Sequence, residues 1–149
     1  MGTKTDMGYG CRDILKTLEL TTYTMKVSVA ITVFNEEKAI GKLLDSLVTQ
    51  TRKPDEIVIV DAGSTDATAS VISNNRLSVR LLVRSATTIA QGRNIAIKEA
   101  RNQIIAMTDG GCIAKKDWLE KITLPFNNKK VDFVAGFYTM TGNQPLQKA

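Results

Sequence analysis

None of the 149 residues is histidine, and this absence removes more chemistry than any other feature of the chain. Without an imidazole there is no Ser-His-Asp triad, no Cys-His dyad and no histidine-bound metal. Any metal ion has to be held by oxygen ligands, which suits Mg²⁺, Mn²⁺ or Ca²⁺. The two cysteines, Cys11 and Cys112, lie far apart with no CxxC spacing. A disulfide framework is therefore not expected, and a reducing cytoplasm is the simplest location. Aromatic residues make up only 5%, and the basic residues behind the net charge of +5 are scattered. Nucleic-acid binding needs a clustered basic face with aromatics between, so no nucleic-acid partner is expected. An anionic small ligand, or an acidic membrane surface met peripherally, fits the charge. No apolar run approaches the length of a membrane span. Lys4, Asp6, Arg12, Asp13 and Lys16 break up the region where a signal peptide needs continuous apolar residues. No GxGxxG follows a strand and no GxxxxGK[ST] occurs, so neither a dinucleotide site nor a P-loop is expected.

What is present has the length and apolar balance of one globular domain. Residues 1–24 are polar and rich in Thr and Gly, with one stretch, Ile14 to Leu20, able to form a helical turn or two. They read as an N-terminal extension, and Met25 as a plausible original start. From Val27 strands and helices alternate. Val27 to Phe34 is apolar and β-branched, a buried strand. Asn35 is placed to cap a helix whose first turn carries Glu36 and Glu37. Ile40, Leu43, Leu44, Leu47 and Val48 form one face of that helix, closed by Pro54. Ile57 to Val60 is a strand covered on both faces. The turn from Asp61 to Asp66 leads into a helix through about Asn74. Ser78 to Arg84 is a third strand. Thr88 caps a helix to Arg101, with Ile89, Ala96, Ile97 and Ala100 expected as its inner face. Gln103 to Thr108 is a fourth strand, Lys116 to Ile122 a short helix and Val131 to Tyr138 a fifth strand. This alternation predicts an α/β fold with a mainly parallel, Rossmann-like sheet and right-handed crossovers.

In such a sheet, ligands bind outside the carboxyl ends of the strands. Strand one ends in Asn35-Glu36-Glu37, strand two in Asp61-Ala62-Gly63-Ser64-Thr65-Asp66, and strand four in Asp109-Gly110-Gly111. Parallel strands bring all three clusters to one edge, which predicts an acidic crevice lined with glycine. Carboxylates suit ribose hydroxyls, base N–H groups and hard metals. Glycines such as Gly110 let the backbone approach a phosphate. Arg93, early in the third helix, can offset diphosphate charge. Each residue also has a purely structural reading. Asp61 and Asp66 can cap the second helix. Asp109-Gly110-Gly111 can be only a tight turn. Glu36 and Glu37 can simply favour a helix N-terminus. Arg93 can be solvated charge, and Phe34 and Trp118 core packing. Cys112 reads as a small buried apolar residue.

Val29 to Glu36 (VAITVFNE), Leu43-Leu44-Asp45-Ser46-Leu47 with Gln50, and Glu56 to Asp66 (EIVIVDAGSTD) together resemble the opening of family 2 glycosyltransferases. Gly92-Arg93-Asn94 followed by Ala96, then Thr108-Asp109-Gly110-Gly111-Cys112 with Asp117-Trp118-Leu119, continue the resemblance in order. It covers about residues 26 to 137. The resemblance implies a GT-A fold, residues 25–149 being its nucleotide-binding part, incomplete at the C-terminus. It implies transfer of a sugar from a nucleotide-sugar donor, usually with inversion, to a glycan, lipid or protein acceptor. Cell-envelope polysaccharide is the product class it suggests, made in the cytoplasm or at the inner face of the membrane.

By position, Thr32, Phe34 and Glu36 match the segment that cradles base and ribose. Val60, Asp61 and Ala62 match the segment that contacts the base. Arg93 matches a basic residue near the nucleotide, and Asp109 the first acid of the D-x-D signature, which contacts the ribose or assists a divalent metal, Mg²⁺ or Mn²⁺. Two departures stand out. Ala62 replaces an acid that commonly binds the base, and Gly111 replaces the usual metal ligand, which puts metal dependence in question. The general base of the family lies well beyond D-x-D and is expected past Ala149. The alternative to an active transferase is a catalytically silent nucleotide-sugar-binding fragment. A phosphoacceptor receiver domain, also a small parallel α/β unit, needs an Asp after strand three and a Lys after strand five. Arg84-Ser85 and Tyr138 stand there instead.

Overall fold

The computed structural model describes residues 25–137 and 139. The expected N-terminal extension, its Ile14 to Leu20 turn, Cys11 and Tyr138 lie outside the described residues. Four strands form one parallel sheet: β1 (Val27–Val33), β2 (Glu56–Asp61), β3 (Arg80–Val83) and β4 (Ile104–Asp109). Their order across the sheet is β3-β2-β1-β4. The crossovers carry helices α1 (Ile40–Val48), α2 (Thr68–Ser73) and α3 (Ile89–Glu99). After β4 come α4 (Trp118–Thr123) and a 3₁₀ turn, Leu124–Asn127. β1 is central, and its register sets Val33 beside Asp61 on one flank and Thr32 beside Asp109 on the other.

Strand periodicity divides β1 between two cores. Val27, Val29, Ile31 and Val33 face the larger one, with Ile57, Ile59, Ile104 and Ala106 from neighbouring strands. Ile40, Leu43, Leu44 and Leu47 of α1, Ile72 of α2 and Leu119 of α4 close over them. Each of the buried Val, Leu and Ile side chains contributes about 2 kcal/mol. Trp118 packs against the same cluster, in its expected structural role. Val48, expected on the inner face of α1, lies at its exposed edge. The opposite side of the sheet is thin, with Ala30, Val60 and Ala96 at its centre. A Cβ on Gly92 would stand 3.0 Å from Cγ2 of Thr32, so α3 lies close to the sheet because its contact residues are Gly and Ala. The expected inner face of α3 is corrected here. Gly92 and Ala96 are buried, whereas Ile89 and Ile97 are exposed. Ile95, not Ile89 or Ile97, is the isoleucine of this helix that packs against the cluster.

Asn35 does not cap α1. It takes a left-handed conformation, φ 54°, which Asn tolerates better than most residues. The helix begins four residues past the expected start, at Ile40, after the Glu36 carbonyl has accepted the N–H groups of Ala39 and Ile40. Residues 131–137 are not a strand. Among the described residues the sheet stops at β4, and Gly136 runs beside Ile122 of α4 instead. A β-prone sequence becomes a strand only when a sheet edge pairs with it.

Gln50 is nearly fully buried and holds the segment after β4 in place. Its Nε2 donates to the carbonyls of Ser46 and Lys115, and its Oε1 accepts from the N–H of Leu119. Buried Arg52 donates to the Thr123 hydroxyl and the Met25 carbonyl.

Candidate functional site

The carboxyl ends of β2, β1 and β4 lie side by side, as parallel pairing requires. Asp61 and Asp109 sit one strand either side of β1, so their Cα atoms are about 10 Å apart. Glu36, from the loop after β1, reaches the turn after β4. A Cβ on Gly111 would be 3.7 Å from both Glu36 carboxylate oxygens, and one on Gly110 would be 3.4 Å from Glu36 Cγ and 2.7 Å from Cγ1 of Val33. Glycine at 110 is thus a steric requirement of the turn, and glycine at 111 leaves the Glu36 carboxylate facing it.

Asp61 is 1% exposed. Its Oδ1 accepts the N–H of Gly63 at 3.1 Å, the N–H of Ser64 at 2.8 Å and the Ser64 hydroxyl at 2.7 Å. These bonds form the loop itself and do not cap α2, which begins at Thr68. Asp66 caps from two residues back. Its Oδ1 accepts the N–H and the hydroxyl of Thr68, and its Oδ2 accepts the N–H of Glu37. Burial pulls the Asp66 carboxyl upward. The Thr68 hydroxyl and the N–H groups of Thr68 and Glu37 outweigh it and hold the group below its ordinary value. Glu37 accepts from the N–H of Ala67, Ser64 Oγ accepts from that of Asn35, and Asn35 Oδ1 accepts from that of Thr65. The loops after β1 and β2 are therefore laced into one rim.

Arg93 of α3 reaches the end of β4, its Nη2 2.7 Å from Asp109 Oδ1. The Arg93 and Asp109 side chains are 44% and 48% exposed, so the pair stands open to the crevice. Phe34 is 53% exposed on the rim, and Ala62 is half-buried beside Asp61. Thr32 lies under Gly92. Val60 is fully buried against Ala30 and Ala96, so only its backbone can face a ligand. Cys112 is half-buried. The parallel sheet brought the Glu36 and Gly111 loops to one edge, as expected; the pairwise contact between them was not legible in either loop's own sequence.

Two carboxylates, those of Asp109 and Glu36, border the glycine turn. Mg²⁺ or Mn²⁺ commonly takes one or two carboxylates from protein and fills its shell with phosphate oxygens and water; here Arg93 already engages Asp109, and Glu36 lies on the Val33 side of the turn. Among the described residues no three acids or cysteines gather as a closed metal cage. A groove of about 740 Å³ opens at the opposite edge of the sheet, lined in part by Lys53, Glu56, Arg80 and Arg101. There Glu56 bonds to the Ser28 hydroxyl and pairs with Arg80. The charges of that groove largely satisfy one another, and none of the strand-end residues above lines it.

The model of Glycosyl transferase family 2 matches residues 28–148. The chain belongs to this family. Glycosyltransferase AglE of Haloferax volcanii is 31% identical over 116 residues, 74% of this chain and 38% of AglE. Among solved structures, Staphylococcus aureus TarS 1-349 in complex with UDP-GlcNAc matches with a TM-score of 0.62 and 26% identity, over 78% of this chain and 38% of that one. Mannosyltransferase PcManGT from Pyrobaculum calidifontis, in complex with GDP-Man and Mn²⁺, matches at 0.58 and 28%, over 66% and 33%. This family 2 chain thus has the GT-A nucleotide-binding architecture expected of it and spans well under half the length of these relatives.

Proposed function

We propose that the chain forms the donor side of a glycosyltransferase that moves a sugar from a nucleoside-diphosphate sugar to an acceptor hydroxyl with inversion. One observation carries this reading: loops from three adjacent parallel strands meet at one edge, where Glu36 and the Arg93–Asp109 pair border a glycine turn and Asp61 shapes the loop beside them. The nucleotides bound to TarS and PcManGT support the donor class.

In this reading Phe34 and the backbone at Val60 to Ala62 flank the base, and Glu36 and Thr32 border the ribose. Buried Asp61 keeps the loop open. Gly110 brings backbone close to the diphosphate, and Arg93 meets its charge. Asp109 is the carboxylate by which a divalent cation would be held, and such an ion would supply further charge neutralisation to the leaving diphosphate. The carboxylate that deprotonates the acceptor belongs to the part of the family's length that this chain does not span. The acceptor is a glycan, lipid or protein. Cell-envelope polysaccharide is the product class we favour, since TarS is named for transfer to poly(ribitol-phosphate). The reaction would run on the cytoplasmic side, with peripheral membrane contact. Among the described residues no helix is long and apolar enough to cross a membrane.

The second reading, a silent nucleotide-sugar binder, shares every donor contact. Calorimetric titration with UDP and GDP, beside an assay of donor hydrolysis, separates the two. Binding with slow hydrolysis supports the transferase, binding alone supports the silent form, and binding of neither nucleotide removes both.

A further inference from the structure

We propose that Ser46 and Gln50 are positioning residues for the diphosphate of the donor, acting through the glycine turn after β4. The inference rests on the donor reading above and gives a binding role to two residues that touch no ligand.

The turn is short, and its two ends are held by different elements. Asp109, the last residue of β4, is fixed by its pairing with Thr32 of β1. Past residues 110–113 the chain comes under the end of α1. There Ser46 Oγ accepts the N–H of Ala114 at 3.1 Å while donating to the Leu43 carbonyl at 2.6 Å. Gln50 donates to the Lys115 carbonyl at 2.7 Å and accepts the N–H of Leu119 at 2.9 Å. The N–H of Thr51 donates to the Lys116 carbonyl at 2.8 Å. Residues 46–51 thus hold the backbone from Ala114 to Leu119 at every one of these positions. Gln50 is 2% exposed, so its bonds are made away from water and fix one geometry.

Between the two ends, Gly110 and Gly111 have no side chains, and glycine's conformational range gives the turn little stiffness of its own. The N–H of Cys112 closes it on the Asp109 carbonyl. The place of Ala114 therefore sets the path of both glycines past the crevice. The base and ribose side is built separately, since the loops after β1 and β2 are bonded to each other through Asn35, Glu37, Ser64 and Asp66. Loosening the tether at Ser46 or Gln50 should weaken the hold on the β-phosphate and leave the hold on a nucleoside monophosphate in place.

The test is calorimetric titration of UDP and UMP, and of GDP and GMP, into the native chain, Ser46→Ala and Gln50→Leu, at a temperature where circular dichroism shows each folded. Ser46→Ala puts a good helix former in α1, so it carries the test should Gln50→Leu fail to fold. The quantity read is diphosphate affinity divided by monophosphate affinity. One hydrogen bond to a charged group corresponds to about tenfold in affinity, so this ratio should fall about tenfold in Gln50→Leu and by a smaller factor in Ser46→Ala. Glu56→Gln, at the opposite edge of the sheet, should leave the ratio level. If Ser46 and Gln50 served the fold alone, the two affinities would move together. A ratio that stays level in both variants, or a native chain that binds mono- and diphosphate equally, overturns the positioning role and leaves the donor reading standing. A native chain that binds none of the four nucleotides removes both.

Discussion

Asp61 shows how a single side chain can shape a binding loop without being a surface group. One carboxylate oxygen satisfies three donors while the residue is almost wholly buried. Asp61→Ala should leave those donors unpaired and cost about 1–3 kcal/mol in urea unfolding, with UDP affinity falling as the loop relaxes. Gly110 is constrained differently. Its missing Cβ would meet the stiff, buried Val33 at 2.7 Å, so Gly110→Ala should destabilise by about 1–3 kcal/mol through overpacking. An unchanged urea midpoint would show that the turn can shift instead. Asp61 and Asp109 were legible as candidates because turn chemistry after a strand marks a parallel sheet's ligand edge, and Arg93 as a basic residue early in the third helix. Their actual bonds were not legible. The alternative reading of Asp61 as a helix cap is not met: it forms its own loop, because the helix starts farther along, at Thr68.

At the scale of elements, two polar devices tie the layers together. Gln50 bonds α1 to the segment that leads into α4 through three hydrogen bonds. Gln50→Leu should cost about 2–3 kcal/mol, since it strands buried backbone groups, and should show in thermal unfolding as early loss of the Trp118 fluorescence signal. Gln50 was visible in the sequence as part of a familiar pattern, with nothing local to give its role. The second device is Glu56 at the start of β2, which joins Ser28 of β1, Arg80 of β3 and the N–H of Arg101. Burial pushes the Glu56 carboxyl upward, but the Ser28 hydroxyl, the Arg101 N–H and the charges of Arg80 and Arg101 outweigh it and hold it below 4.5. A carboxyl lowered in the folded state adds stability at pH above its unfolded value and loses it as pH falls through the folded one. Asp66 acts in the same direction from 3.8. Unfolding free energy should therefore be level near neutrality and decline below about pH 4.5, with Glu56→Gln reducing the steepness of that decline in urea titrations at stepped pH.

For the whole molecule, the crowded edge and the opposite edge of the sheet have different tasks. Strand-end loops converge on one side, and the ion pairs of Glu56, Arg80 and Glu99 tie strand starts together on the other. A ligand that binds only the folded state raises its stability by mass action, so UDP or GDP at a hundred times its dissociation constant should add about 2.7 kcal/mol to unfolding. A thermal melt that does not move with either nucleotide would count against the donor reading. Ile113, Leu124, Phe133 and Phe137, all in the stretch after β4, are exposed, and this stretch is also where the expected fifth strand did not form.

Four strands, the order of their helices and most of the buried face of α1 followed from the sequence alone, because period-two and period-3.6 patterning is written into neighbouring residues. The meeting of acids at one edge followed as well, since parallel strands leave no other place for their ends. Tertiary structure decided what no local pattern encodes: the left-handed turn at Asn35, the shallow seat of α3 on Gly92, the clasp between Arg93 and Asp109, and the failure of residues 131–137 to pair. Each of these depends on which distant surface a segment meets, and the free energy of that encounter outweighs local propensity.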